Sequence, residues 1–134
     1  VSAAEIHVPG WPVPRGYANG RRGAGEVVHT GGQIGWDEHG AFAEGGLVPQ
    51  LARALDNVIA VVRAAGGVPE DIATMTVFVT DIADYRAAQK EIGAAWRARM
   101  GKHFPAMALV AVSDLVEPHA VVEIQATAYV GGAR

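Results

Sequence analysis

Two runs near the end of the chain decide the fold: Ala106-Met107-Ala108-Leu109-Val110-Ala111-Val112, and Val121-Val122-Glu123-Ile124-Gln125-Ala126-Thr127-Ala128-Tyr129-Val130. Successive side chains of a strand point to opposite faces. In the second run Val122, Ile124, Ala126, Ala128 and Val130 therefore share one face, which suits a sheet surface under helices. Val121, Glu123, Gln125, Thr127 and Tyr129 share the other, a mixed surface with a carboxylate in the middle. The first run is apolar on both faces, with Met107, Leu109 and Ala111 against Ala108, Val110 and Val112. Helices on one side of a sheet leave the other side wet in a single copy, and another copy of the chain is the simplest cover. The pattern predicts a homo-oligomer with Glu123 in or beside the subunit interface.

Upstream of these strands lies a helical pattern. Asp81 suits an N-cap and Asp84 the first turn, where the helix dipole favours a carboxylate. Tyr85, Ala88, Ile92, Ala95 and Trp96 make a buried stripe, and Gly101 and Pro105 close the segment as one unbroken helix. Arg86, Lys90, Arg97, Arg99 and Lys102 read as its solvated face. Thr74-Met75-Thr76-Val77-Phe78-Val79 is a strand rich in β-branched residues. Residues 47–65 give the clearest helix, with Leu51, Leu55, Val58, Ile59 and Val62 on one stripe and Gly66-Gly67 as its stop. Glu26 to Thr30 reads as a short strand, and Asp37-Glu38-His39-Gly40 as a turn. Three prolines between Pro9 and Pro14 predict an extended arm ending near Tyr17. The order of elements predicts an α+β domain, an antiparallel sheet with two long helices on one face.

The chain has 134 residues and a mass of 14.0 kDa, which makes 1–134 a single domain. Half of it is hydrophobic and 19% is charged, a balance that excludes intrinsic disorder. With no cysteine there is no disulfide, thiolate metal site or cysteine nucleophile. A net charge of −3 leaves no basic footprint for nucleic acid. No apolar run approaches the length of a membrane span, and Val1-Ser2-Ala3-Ala4-Glu5 lacks the basic and apolar regions of a secretory leader. The expectation is a cytoplasmic protein with neither a membrane nor a nucleic-acid partner.

Candidate chemistry is sparse. Glu123 in mid-strand is either a solvated or ion-paired carboxylate or a general acid/base that orients water. The five histidines, His7, His29, His39, His103 and His119, have no zinc-motif spacing, so no metal site is expected. His119 precedes the Glu123 strand, within reach of the same pocket mouth. The Thr30-Gly31-Gly32-Gln33 turn is either structural or an anion-binding backbone, since glycine exposes its N–H groups. Trp36 is a packing residue or an aromatic pocket wall.

Gly16-Tyr17, Thr30-Gly31-Gly32-Gln33-Ile34, Leu55-Asp56-Asn57-Val58, Thr76-Val77-Phe78-Val79-Thr80-Asp81, Phe104-Pro105-Ala106 and Val122-Glu123-Ile124 together carry a resemblance. From about Pro14 to Tyr129 the chain resembles the YjgF/Rid family, the reactive intermediate deaminases also known as endoribonuclease L-PSP. The resemblance implies a chorismate-mutase-like α+β fold and a homotrimer whose sheets form a central barrel, with three clefts between subunits. It implies hydrolysis of enamines or imines to a keto acid and ammonia, without cofactor or metal. Tyr17 matches the family's cleft tyrosine and Glu123 its water-activating glutamate. The family's carboxylate-binding arginine, directly after Pro-Ala, is here Met107, which cannot pair with a carboxylate. Gly31 stands at a family serine, Gln89 at an asparagine and Leu109 at a frequent cysteine.

The chain thus looks like an arginine-lacking branch. The resemblance places Glu123 and Tyr17 as catalytic residues. Gly31, Trp36, Gln89, Ala106, Met107, Leu109 and His119 are the expected substrate-binding set. The expected partner is a small molecule less acidic, or larger, than the usual 2-imino acids. The alternative is a non-catalytic trimer that binds a metabolite or regulates a partner. RNA cleavage is disfavoured by the net charge of −3 and by the absence of a paired-histidine motif.

Overall fold

A computed structural model describes residues 3–132; Val1 and Ser2, at the start of the N-terminal stretch considered above, lie outside the described residues. The strands are β1 (Ala3–Glu5), β2 (Arg21–Gly23), β3 (Gly25–His29), β4 (Gln33–Ile34), β5 (Ile72–Val79), β6 (Ala106–Ala111) and β7 (Val122–Gly131). The helices are α1 (Leu47–Ala64), α2 (Ile82–Ala87) and α3 (Gln89–Met100). β1 and β2 form a small antiparallel ribbon of their own. The main sheet runs β3-β7-β5-β6, with β4 also paired to β7.

The core forms where α1 lies on this sheet. Leu51, Leu55, Val58, Ile59 and Val62 are buried as their spacing predicts, and they meet Val122, Ile124, Ala126 and Ala128 of β7 in one cluster. Each fully buried Leu, Ile or Val side chain among them contributes about 1.5–3 kcal/mol through area removed from water. Met75, Val77 and Val79 of β5 complete the helix-covered face. The opposite face carries no helix. There Val27 is 49% exposed and Val110 43% exposed, in line with the bare apolar surface read from β6.

Three expectations are corrected. The sheet is mixed rather than wholly antiparallel, because β5 and β6 are parallel, from Thr74↔Ala106 to Val79↔Ala111. The helices between them carry the chain back, so β6 starts at the same end as β5. The second helix is broken, with Ala88 between α2 and α3 and its N–H donated to the Tyr85 carbonyl, 3.1 Å away, in a tighter turn. No glycine or proline marks that break in the sequence. Finally, Arg99 does not belong to a solvated face: its Nε lies 2.7 Å from Asp56 Oδ1 and ties α3 to α1. Asp81 caps α2 as expected, accepting from the Asp84 N–H at 3.1 Å. The proline-rich arm is irregular rather than a strand. Ala18 ends it against β6, donating to the Pro105 carbonyl at 2.9 Å.

Buried polar side chains fix the loops around β7. Thr30 Oγ1 accepts the Ala126 N–H at 3.0 Å while the Thr30 N–H donates to the Ala126 carbonyl. Gln50 on α1 donates to the His119 carbonyl and accepts the Val121 N–H, which sets the entry to β7. Asn57 donates to the carbonyls of Ile34 and Trp36, and Gly35 lies so close to the Gln50 backbone that a Cβ would collide with it. His103 Nε2 lies 2.8 Å from the Ile72 carbonyl, and desolvation holds its pKa below the ordinary histidine value despite that contact.

Two stability measurements test these contacts. Thr30→Val keeps the shape but strands a buried N–H, so it should cost about 1–3 kcal/mol in denaturant unfolding. A depressed folded-state histidine pKa means that protonation favours the unfolded chain. Stability should therefore fall as pH drops below the ordinary histidine value, and His103→Gln should flatten that part of the pH profile.

Candidate functional site

The residues singled out in the sequence fall into three places. The first is a cavity of about 630 Å³ between α2, α3, β6 and the end of the N-terminal arm. Tyr17, Gln89, Met107 and Leu109 all line it. Met107 and Leu109 reach it because they share the helix-covered face of β6, and both are half-buried. Gln89 reaches it because the break at Ala88 makes it the first residue of α3. The wall is completed by Tyr85, Trp96 and Phe104, with Trp96 and Phe104 stacked at 5.7 Å and 1° between ring planes. The Trp96 indole donates to the His103 carbonyl at 3.1 Å, which fixes the ring. Partial burial raises the Tyr85 pKa, so its phenol stays protonated and available as a donor. Ala106 lies beside this cavity, in a shallower hollow with Thr74, Thr76 and Ala108 that Tyr17 and Met107 share.

The second place is the far face of the sheet. Glu123 pairs with Phe78 in register, on the side away from α1. Its carboxylate rests against Gly32, where any Cβ would occupy the carboxylate's position. Gly31 is adjacent and open, with nothing within contact distance of a Cβ there. The turn at residues 30–33 therefore seats the glutamate against backbone, and Thr30 anchors that turn to β7. β6 lies two strands from β7, about 10 Å away at ordinary strand spacing. Glu123 and the Met107 cavity thus stand on opposite sides of one chain's sheet.

The third place holds Trp36 and His119. Trp36 packs on Phe42 at 5.6 Å, and Phe42 meets the His119 ring edge-on at 6.1 Å. Trp36 lines a separate hollow with Asp37, Arg53 and Asn57, not the Met107 cavity. The N–H groups of Ala41 and His39 hold the Asp37 carboxyl below its ordinary pKa, which rigidifies the expected turn. His119 is exposed and its carbonyl is engaged by Gln50, so a loop-packing role accounts for what its backbone and ring do.

Sequence reasoning missed Arg15, Tyr85, Trp96, Arg97, Lys102 and Phe104 as cavity residues. Tyr85 and Trp96 read as a buried stripe and do pack in or against the core, and Arg97 and Lys102 read as a solvated face and are exposed, but all four also line the cavity. The available signal was the break in the α3 stripe: Gln89 and Gly93 lie on the same helical face as Tyr85 and Trp96, and neither fills a core. Among the described residues no cluster of three or more His, Asp or Glu side chains could hold a metal ion. No helix among them is long and apolar enough to cross a membrane.

Comparison with known proteins converges on one family. The family model described as Endoribonuclease L-PSP matches residues 13–130. A 2-iminobutanoate/2-iminopropanoate deaminase from Salmonella typhimurium is 38% identical over 108 residues, spanning 78% of this chain and 80% of that protein. The enzyme of the same name from Escherichia coli is 34% identical over 107 residues, with the same coverage. Among solved structures, the Rid-family protein YyfB from Yersinia pestis, of unknown function, superposes with a TM-score of 0.82 at 26% identity, covering 97% of this chain and 100% of that one. The Escherichia coli YjgF protein gives a TM-score of 0.70 at 30% identity, covering 96% and 94%. With the fold and nearly the whole length matched, the chain belongs to the endoribonuclease L-PSP family, the YjgF/Rid proteins.

Proposed function

We propose that this protein is a deaminase that hydrolyses a reactive imine or enamine. The observation that carries the reading is the Glu123 carboxylate seated against the backbone of Gly32, next to the open Gly31. Similarity to two enzymes named as 2-iminobutanoate/2-iminopropanoate deaminases supports it. An imine is hydrolysed when water adds to the carbon of C=N and the nitrogen takes up protons. The C–N bond then breaks, so that R₂C=NH and H₂O become R₂C=O and NH₃. One carboxyl suffices for this: it takes a proton from the attacking water and returns it to the departing nitrogen. An enamine first needs a proton at carbon, which the same group in its acid form supplies.

The cavity and the glutamate lie on opposite sides of the sheet, so the reading requires assembly. In a homotrimer, Glu123 of one copy faces the cavity of the next across an intersubunit cleft, and the bare apolar face with Val27 and Val110 is covered. Tyr17, at the cavity rim and 43% exposed, hydrogen-bonds or walls the substrate there. Trp36 and His119 pack by their own loops and are not assigned to catalysis. Met107 offers no charge, so the protein falls in an arginine-lacking branch. Its substrate is less acidic, or larger, than the usual 2-imino acids, with no carboxylate beside the C=N carbon for an arginine to hold. The same neutral Met107 favours a second reading, a metabolite-binding trimer without turnover.

Ammonia release from imines generated in place by an amino-acid oxidase separates the two. Glu123→Gln should cut the rate by about 10²–10⁴-fold with the elution volume of the oligomer unchanged. An unchanged rate overturns the role of Glu123, and no turnover of any imine by the native chain favours the binding protein. Gly32→Ala displaces only the flexible end of Glu123, so it should lower kcat severalfold while leaving Tm within a few degrees. A native kcat would show that the carboxylate need not sit there.

A further inference from the structure

The cavity beside Met107 has a composition that the imine chemistry alone does not explain. Four of the chain's nine aromatic side chains, Tyr17, Tyr85, Trp96 and Phe104, line it. Its volume of about 630 Å³ lies within the range of pockets that enclose a drug-sized molecule, well beyond the needs of a three- or four-carbon acid. Three cations, Arg15, Arg97 and Lys102, stand on its lining, and no Asp or Glu does. Two other arginines are ion-paired: Arg53 meets Glu38 at 3.3 Å and Arg99 meets Asp56 at 2.7 Å. Among the described residues no carboxylate lies within ion-pair distance of Arg15, Arg97 or Lys102.

Arg97 is also placed by its neighbour. Its guanidinium lies over Gly93, one helical turn back, where a Cβ would come within 3.3 Å of Nη1. With only hydrogen at that position, the exposed guanidinium can lie against the helix at the cavity rim. Guanidinium and ammonium groups without a protein carboxylate, converging on an aromatic cavity, are suited to an anion carried on a ring.

We infer that the cavity binds an aromatic anion. Its ring lies among Trp96, Phe104, Met107 and Leu109, and its acid group is held at the rim by Arg15, Arg97 and Lys102. The inference rests on the proposed deaminase reading only in making this ligand the substrate's class: an imine or enamine on an aromatic skeleton, with its acid remote from the C=N carbon. The charge that Met107 cannot meet is met by these rim cations.

Equilibrium binding tests this without turnover. Titration calorimetry on the full chain uses indole-3-propanoate, its neutral amide, and pyruvate as a small acid without a ring. The acid should bind at least about tenfold tighter than the amide at low salt, and the difference should shrink as salt screens exposed cations. Pyruvate should give no measurable heat. Arg97→Gln with Lys102→Gln should reduce the preference for the acid severalfold and leave the amide's affinity unchanged. Equal binding of acid and amide overturns the inference, as does an undiminished preference in the double variant or tighter binding of pyruvate. Failure of the deaminase reading looks different: the acid preference holds, but no aromatic imine releases ammonia.

Discussion

Packing α1 across β7 sets the direction of every side chain that matters here. Val122, Ile124, Ala126 and Ala128 are pinned under the helix, each at most 5% exposed. A strand has only two faces, so burial of these four turns Glu123, Gln125, Thr127 and Tyr129 the other way. A slip of one residue would bury the carboxylate and expose the valine and isoleucine. The register of the strand is therefore fixed by several buried aliphatic contacts, and the position of Glu123 follows from it. The same constraint passes through β5 to β6, where it turns Met107 and Leu109 toward the helices and Ala108 and Val110 away.

Function in this fold depends on what the helices leave uncovered. α1 covers the β7 side of the sheet, and α3 ties back to α1 through Arg99 and Asp56. Over β6 the helices α2 and α3 leave a space, lined from their side by Tyr85, Gln89, Ile92 and Trp96. The cavity opens in that space, floored by the half-buried Met107 and Leu109 and walled by the stacked Trp96 and Phe104. Polar groups are spent on holding loops rather than filling the cavity: Gln50 fixes the entry to β7, Asn57 fixes β4 and its following loop, and Thr30 fixes the glycine turn. Among the described residues, no buried side-chain polar atom of the fold lacks a partner.

Much of this was legible in advance. The α1 stripe, the alternation of β7 and the cap at Asp81 each depend on residues near in sequence, and each stands as read. The parallel pairing of β5 with β6 was not legible, because strand direction is set by how the helices cross between them. The break at Ala88 was not legible either, since alanine is a strong helix former and neither glycine nor proline stands there. Tyr17, Gln89, Met107 and Leu109 were singled out together and do share a cavity. Trp36, read from its glycine-bounded loop, and His119, read from its place before the Glu123 strand, both pack on Phe42 and do not line that cavity.

By itself the sequence determined α1, the strands β5 to β7, the two faces of β7 and the resemblance to the family, because periodicity and local motifs encode these directly. Only the tertiary structure decided which side chains meet. It placed Glu123 and the cavity on opposite sides of the sheet, moved Arg99 into an ion pair, and gathered Arg15, Arg97 and Lys102 around four aromatic rings. The physical reason is that these contacts join residues from separate elements. Their meeting depends on strand order and helix placement, which no spacing along a single segment records.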